Sequence, residues 1–223
     1  MTAATAPPCV LLIAKAPVPG FAKTRLTPPA TPEQAAAIAA AGLLDTLDTV
    51  RHTGMRPIVA LAGDLARAAA SGAISAALLG CTVIAQRGTG LAERLVHAHA
   101  DAAVAAPGAP ILQIGSDTPH VTTAVLAAAA AQVLDGPDAV LGRATDGGWW
   151  ALGLRDPRHA VALYGVPMST ADTGRLTHES LTARGLSVGG LPVLSDVDTI
   201  ADARTVSRQI PGGRFARAVA AVA

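Results

Sequence analysis

Short apolar runs alternate with longer helix-forming segments along most of this chain, and that alternation constrains the fold more than any single motif. Runs at residues 10–14, 56–62, 81–85 and 110–115 are each followed by a segment with helical signals. Strand, helix and strand in repeated succession build parallel βαβ units. The run at 56–62 (RPIVALA) is continuously apolar rather than alternating, as expected of a strand covered on both faces. At 223 residues the chain is long enough for one substantial core. The expectation is a single-domain three-layer α/β/α sandwich on a mainly parallel mixed sheet, with one domain over residues 1–223 and its core at about 10–205.

Local signals fill in the elements. Residues 1–8, with Ala, Thr and Pro, predict a frayed start. Thr31-Pro32-Glu33-Gln34 offers a capping Thr, a Pro at the first helical position and a Gln three residues after the cap, so a helix is expected from there to about His52, ended by Gly54. A short helix near 64–70 follows the second strand, and Gly88-Thr89-Gly90 opens a helix over 91–105. Further helices are expected at 121–134, 157–164 and 171–184, and further strands at 138–142, 149–154 and 191–194. A helix beginning at Thr199 and a short terminal helix after Gly212-Gly213 complete the chain.

Composition excludes several classes of partner. The chain is 51% hydrophobic but only 2% aromatic, so Ala, Leu and Val must fill the core through close helix–sheet contact. Net charge is +1 and no basic run tracks a polyanion, which argues against polymeric nucleic acid. The longest uncharged apolar stretch, residues 121–134, is shorter than the roughly 20 residues that cross a bilayer. Residues 10–14 are too short for a signal-peptide core, so the expectation is a cytoplasmic protein with no membrane span. Cys9 and Cys81 lack metal-ligand spacing and read as reduced, largely buried thiols.

Chemistry-bearing residues follow the strands. The first strand breaks into a Pro/Gly loop, KAPVPGFAKTRL over residues 15–26, that carries Lys15, Lys23 and Arg25 beside Gly20. It is not a Walker A loop, because the Lys of that motif follows a Gly directly and a second Gly lies five residues before it. The cations favour a polyphosphate ligand, for which Arg offers a bidentate fork and Lys a compact charge. The competing reading is a set of solvated surface charges.

Asp117 follows the run 110–115, at the carboxyl end of an expected central strand, the edge where parallel sheets bind ligands. A carboxylate there suits Mg²⁺ (or Mn²⁺) held against phosphate oxygens; alternatively it caps the next helix. Asp198 has the same two readings, since residues 199–202 resemble a capping pattern. Two carboxylates ending strands of one sheet could converge and share a metal. Asp146-Gly147-Gly148-Trp149-Trp150 gathers both tryptophans behind an acid. Paired glycines let backbone approach a ligand, and one Trp, assigned as Trp149, would stack on a sugar or base while the other enters the core. The alternative is a tight turn into a half-buried strand. His97 and His99 stand two apart on a helix, face different ways and read as structural or solvated.

Taken in order, AKAPVPGFAKTRL, IGSDTP, DGGWW and DVDTIADA make the chain resemble the DUF2064 family, often labelled glycosyltransferases, over about residues 10–205. The resemblance implies the GT-A α/β fold of the nucleotide-diphospho-sugar transferase superfamily. More distantly the layout is similar to phospholactate and molybdenum-cofactor guanylyltransferases and to sugar-acid cytidylyltransferases, in which an N-terminal basic loop holds the triphosphate and an Asp after a central strand binds Mg²⁺. That similarity implies Lys15, Lys23 and Arg25 for the loop, Asp117 as metal ligand and Asp198 as a second ligand. It further implies Gly88, Gly90 and Arg94 as contacts to base or ribose. The chain departs from DUF2064 at Thr89, where an acid is common, and at Trp149-Trp150, where Tyr follows the paired glycines.

Two chemistries fit these residues. In nucleotidyl transfer, an acceptor phosphate or hydroxyl attacks the α-phosphorus of a nucleoside triphosphate while Mg²⁺ and the cationic loop, Lys23 and Arg25 included, neutralise the leaving pyrophosphate. In glycosyl transfer, the donor is a nucleotide sugar and Asp146 serves as acceptor base. The cationic loop favours the first. The family label favours the second, and Asp196-Val197-Asp198 is literally a DxD, although it lies near the C-terminus rather than after the central strand. The expectation is a metal-dependent transferase taking a nucleoside triphosphate or nucleotide sugar and a small-molecule acceptor, with a non-catalytic nucleotide-binding protein as a third reading.

Overall fold

The first strand, β1 (Cys9–Lys15), has no charged side chain until its last residue because helices cover both of its faces. In the computed structural model, which describes residues 6–222, it lies inside a seven-stranded sheet. Residues 1–5 of the expected frayed start lie outside the described residues. β2 (Arg56–Ala62) and β4 (Ile111–Gly115) flank β1 in parallel, and β3 (Thr82–Ala85) continues the sheet outside β2. Beyond β4 come β6 (Trp149–Leu154), β5 (Ala139–Ala144) and β7 (Val188–Leu194). Only β6 runs against its neighbours, so β1, β4, β5 and β7 all end on one edge. This is the mainly parallel mixed sheet read from the alternation.

Helix α1 (Pro32–His52) starts where its capping box requires: the Thr31 hydroxyl accepts from the Gln34 N–H at 3.2 Å, and Gln34 Oε1 accepts from the Thr31 N–H at 2.8 Å. With α2 (Ser71–Leu78) and α4 (Thr123–Asp135) it covers one face, burying Leu12, Leu47, Ile74, Leu112 and Leu126 together. The other face carries α3 (Leu91–Ala105), a 3₁₀ segment (Pro157–Leu163) and α5 (Thr173–Thr182), over Leu11, Leu95, Ala102, Leu152 and Leu181. Three layers result. Outside α1, α6 (Ile200–Ser207) and α7 (Arg214–Ala220) close a further apolar cluster with Leu26, Ile38 and Phe215, so packed structure runs past residue 205.

Small residues allow the close contacts an aromatic-poor core needs. A Cβ on Gly142 would meet Trp150 Nε1 at 2.5 Å, and one on Gly153 would meet Val133 Cγ2 at 2.4 Å.

Some elements differ from expectation. The segment near 64–70 is a 3₁₀ turn, Leu65–Arg67, capped by Asp64, and α2 follows it unannounced because Ala70 precedes it at φ 54° with no side-chain cap. Residues 157–163 are 3₁₀, and β7 begins at Val188, whose pairing with Ala139 continues through Gly189 and Gly190, residues that weaken a strand signal. Cys9 is buried and Cys81 partly so; both are free thiols, and burial raises both pKa values. No helix among the described residues is long and apolar enough to cross a membrane.

Candidate active site

The loops leaving β1, β4, β5 and β7 carry the charged residues that the motifs contain. Lys23 adopts a left-handed backbone conformation, φ 49°, before a 3₁₀ turn (Thr24–Leu26), an uncommon conformation for a residue with a Cβ. From there its ammonium reaches Asp117 Oδ1 at 2.6 Å and donates to the Val197 carbonyl. The Val197 N–H donates to the Asp117 carbonyl at 3.0 Å, so backbone and side chain together tie the β7 loop to the β4 loop. Arg25 pairs with Asp198 Oδ2 at 2.9 Å, and Lys15 donates to the Phe21 carbonyl at 2.7 Å across its own loop. Neither carboxylate serves as a helix cap: Thr122 caps α4, and Thr199 with Asp202 caps α6. The five loop residues are therefore brought together.

Two clefts meet at this junction. The first, about 380 Å³, lies between the β1 loop, α1 and the start of α3, and is lined by Lys15, Lys23, Arg25 and Arg94. The second, about 580 Å³, lies between the β5–β6 turn and residues 168–173, and is lined by Asp146, Gly148, Trp149 and Asp196. Arg25, Asp117 and Asp198 border both.

The β5–β6 turn is a true tight turn that also faces a cleft. Asp146 Oδ1 accepts from the Gly148 N–H at 2.8 Å. Gly147, at φ 90°, is required by its own chain: a Cβ there would lie 2.0 Å from the Ala171 carbonyl oxygen. Gly147, expected to approach a ligand, lines neither cleft, and its neighbour Gly148 lines the second. Gly20, Gly88 and Gly90 line neither as well. Gly20 turns the loop at φ 77°, Gly88 at φ 129° packs against Glu93, and Gly90 leads into α3. Of that segment Leu91 and Arg94 line the first cleft, Arg94 as its charged member. The tryptophans differ in exposure: Trp150 is buried and donates to the Pro192 carbonyl at 2.9 Å, while the partly exposed Trp149 donates to the Thr177 hydroxyl at 3.1 Å, and both border the second cleft.

Four site residues were not singled out by the motifs. Asp196 Oδ1 is buried without a partner among the described residues, and burial, then the carboxylates of Asp117 and Asp146, push this carboxyl up to about 7 against the opposing effect of Lys23. Its signal was the DxD, discounted for its position. Gln86 donates to the carbonyls of Ala14 and Ala60, each at 2.8 Å, and lines the first cleft. Thr118 and Gln113 line the second; Gln113 Oε1 lies 2.9 Å from Nε2 of His99, which burial keeps neutral with a pKa of about 4. His97, by contrast, contacts the Arg87 carbonyl at the surface.

Among the described residues no three His, Cys, Asp or Glu side chains form a ready metal-ligand group. The donor set still fits a hard cation. Mg²⁺ characteristically uses one or two carboxylates and completes its shell with substrate phosphates and water, which Asp117 and Asp198 at the junction would allow.

Solved structures share this architecture. A protein from Desulfovibrio desulfuricans G20 described as a candidate nucleotide-diphospho-sugar transferase matches with a TM-score of 0.81 at 28% identity, covering 96% of this chain and 93% of that one. Rv0371c from Mycobacterium tuberculosis H37Rv, in complex with manganese, matches with a TM-score of 0.51 at 22% identity over 89% of this chain and 97% of that one. CMP:2-keto-3-deoxy-manno-octonic acid synthetase complexed with CTP matches with a TM-score of 0.55 at 12% identity over 92% of this chain and 99% of that one. The last two are similar in fold alone. No curated protein matches the chain. The family described as "Uncharacterized protein conserved in bacteria (DUF2064)" matches residues 46–170, more than half of the chain, which include Asp117 and Asp146 but neither the cationic loop nor residues 195–198. On that match the chain belongs to the DUF2064 family, built on the fold shared by nucleotidyltransferases and nucleotide-diphospho-sugar transferases.

Proposed function

We propose that the protein is a divalent-cation-assisted transferase with a nucleotide donor, and that its reaction is nucleotidyl transfer from a nucleoside triphosphate to a small phosphorylated or hydroxylated acceptor. One observation carries this: Lys15, Lys23, Arg25 and Arg94 line a single cleft that ends at Asp117 and Asp198. A departing pyrophosphate needs that density of positive charge, since neither its binding nor its leaving is favourable without counter-charges. Gln86 and Arg94 would face the base or ribose, and Asp117 and Asp198 would hold Mg²⁺ or Mn²⁺. A bound cation of this kind neutralises phosphate charge and orients the α-phosphorus.

Lys23 and Arg25 hold these two carboxylates as ion pairs, and ligand binding would exchange those partners for phosphate oxygens. For Arg25, 71% exposed, the exchange costs little, since exposed pairs contribute about 0–1 kcal/mol; Lys23, 15% exposed, keeps the Val197 carbonyl as an acceptor while Asp117 is exchanged. In the transfer step the acceptor oxygen bonds to the α-phosphorus, the bond to the bridging oxygen breaks and pyrophosphate departs beside Lys23 and Arg25; where the acceptor is a hydroxyl, Asp146 takes its proton.

Glycosyl transfer is the second reading. It is favoured by the description of the Desulfovibrio protein and by the DxD, both of whose carboxylates border the second cleft. Pyrophosphate release from each nucleoside triphosphate, measured beside nucleoside diphosphate release from nucleotide sugars with Mg²⁺ or Mn²⁺ and an acceptor pool, separates the two. Pyrophosphate release that stops on chelation is expected. Diphosphate release alone would favour the second reading, and nucleotide binding without either product would leave a binding protein.

A further inference from the structure

We propose that the second cleft takes an uncharged hydroxyl-bearing acceptor, such as a sugar or another polyol, and disfavours phosphorylated ones. This rests on the transferase reading and narrows its acceptor. Four aspartates, Asp117, Asp146, Asp196 and Asp198, line the cleft. Among the described residues that line it, Arg25 is the one cation, and it is paired with Asp198 at 2.9 Å. The wall opposite the junction is Met168, Ser169 and Thr170, without charge.

A phosphate monoester is recognised by Arg or Lys, or by free N–H groups at a helix start. The helix start bordering this cleft does not offer them: the Thr173 N–H donates to the Thr170 carbonyl at 3.1 Å, and the Gly174 N–H donates to the Gly147 carbonyl at 2.9 Å. A phosphate here would face Asp146 and Asp196 with neutral donors alone and no unpaired cationic side chain among the described lining residues.

The same wall suits hydroxyls. Thr118 is 1% exposed, borders the cleft, and its hydroxyl has no partner among the described residues; the same holds for buried Asp196 Oδ1. Gln113 is held at its oxygen by the neutral His99 ring, read as the donor from Nε2, which leaves the amide N–H₂ as the end available to the cleft. A polyol can donate to the carboxylates and accept from that amide, while Trp149 offers an apolar ring face for C–H groups.

Ligand-observed NMR tests this on the full chain, with Mg²⁺ and saturating inorganic pyrophosphate present so that the first cleft does not report. The probes are monosaccharides and short polyols, each paired with its own phosphate monoester. The uncharged members are expected to bind at least about ten-fold tighter than their esters. Esters that bind as tightly or tighter, or an absence of saturable binding by every uncharged member, would overturn the proposal. Met168→Lys is expected to shift the ester-to-polyol affinity ratio about ten-fold toward the ester; an unmoved ratio in a folded variant would also count against it. The readout needs no turnover, so failure of pyrophosphate release sinks the transferase reading without altering this result, and the reverse holds.

Discussion

The two clefts share Arg25, Asp117 and Asp198 yet differ in the sign of their remaining charge. Three of the four cations of the first come from the last residue of β1 and the loop after it, and its floor is a face of α1, where a Cβ on Gly42 would touch Phe215 at 3.4 Å. The second is assembled from the ends of β4, β5 and β7 and from residues 168–173, including Ser169 at φ 60°. The sheet provides a common edge; the loops decide which charge each side presents. A donor rich in phosphate and an acceptor without it can thus lie side by side, with the shared carboxylates between them.

The shared residue gives the hardest blow to both sides. Asp117→Ala is expected to lower metal-dependent turnover by about two to three orders of magnitude. Its melting temperature should fall only modestly, because the carboxylate is half-exposed and the largely buried Lys23 ammonium still donates to the Val197 carbonyl. Full activity in this variant would remove Asp117 from the site.

Acid should act through the floor of the second cleft. Burial holds His99 at a pKa of about 4, below its ordinary 6.5, so the unfolded chain binds a proton between those values that the native protein does not. Stability is therefore fully present above pH 6.5 and falls as pH drops toward about 4, by about 3 kcal/mol from this group. Urea unfolding at intervals across that range measures it, and His99→Gln should flatten the profile. An equally steep profile in the variant would contradict a buried neutral imidazole. A smaller effect is expected for Gly142→Ala, which presses a methyl group toward Trp150 Nε1, 2.5 Å away, and should cost about 1–3 kcal/mol in denaturant unfolding. Because Trp150 adjoins Trp149, polyol binding should weaken more than nucleotide binding; equal losses would blur the division between clefts.

The same contrast explains what could be read in advance. β1, α1, α3 and β6 were legible because each has a local cause, such as the Thr31–Gln34 capping box or an uninterrupted apolar run. The first cleft was legible because its cations are neighbours in the chain. The second was less so: Gln113 and Thr118 come from β4 and its loop, Asp146 from the turn after β5 and Asp196 from the loop after β7, and the sheet order β4-β6-β5-β7 brings them to one wall. One glycine has a structural cause that the sequence hides for a related reason. The backbone that approaches Gly147 closely is Ala171, remote in sequence from the turn. The helix α2 lacked any capping side chain to announce it.

A crystal structure with a non-hydrolysable nucleoside triphosphate and Mg²⁺ or Mn²⁺ tests the division of labour most directly. The account predicts phosphate oxygens against Lys15, Lys23 and Arg25, with the cation on Asp117 and Asp198. A polyphosphate lodged between Asp146 and Trp149, with the cationic loop untouched, would contradict it.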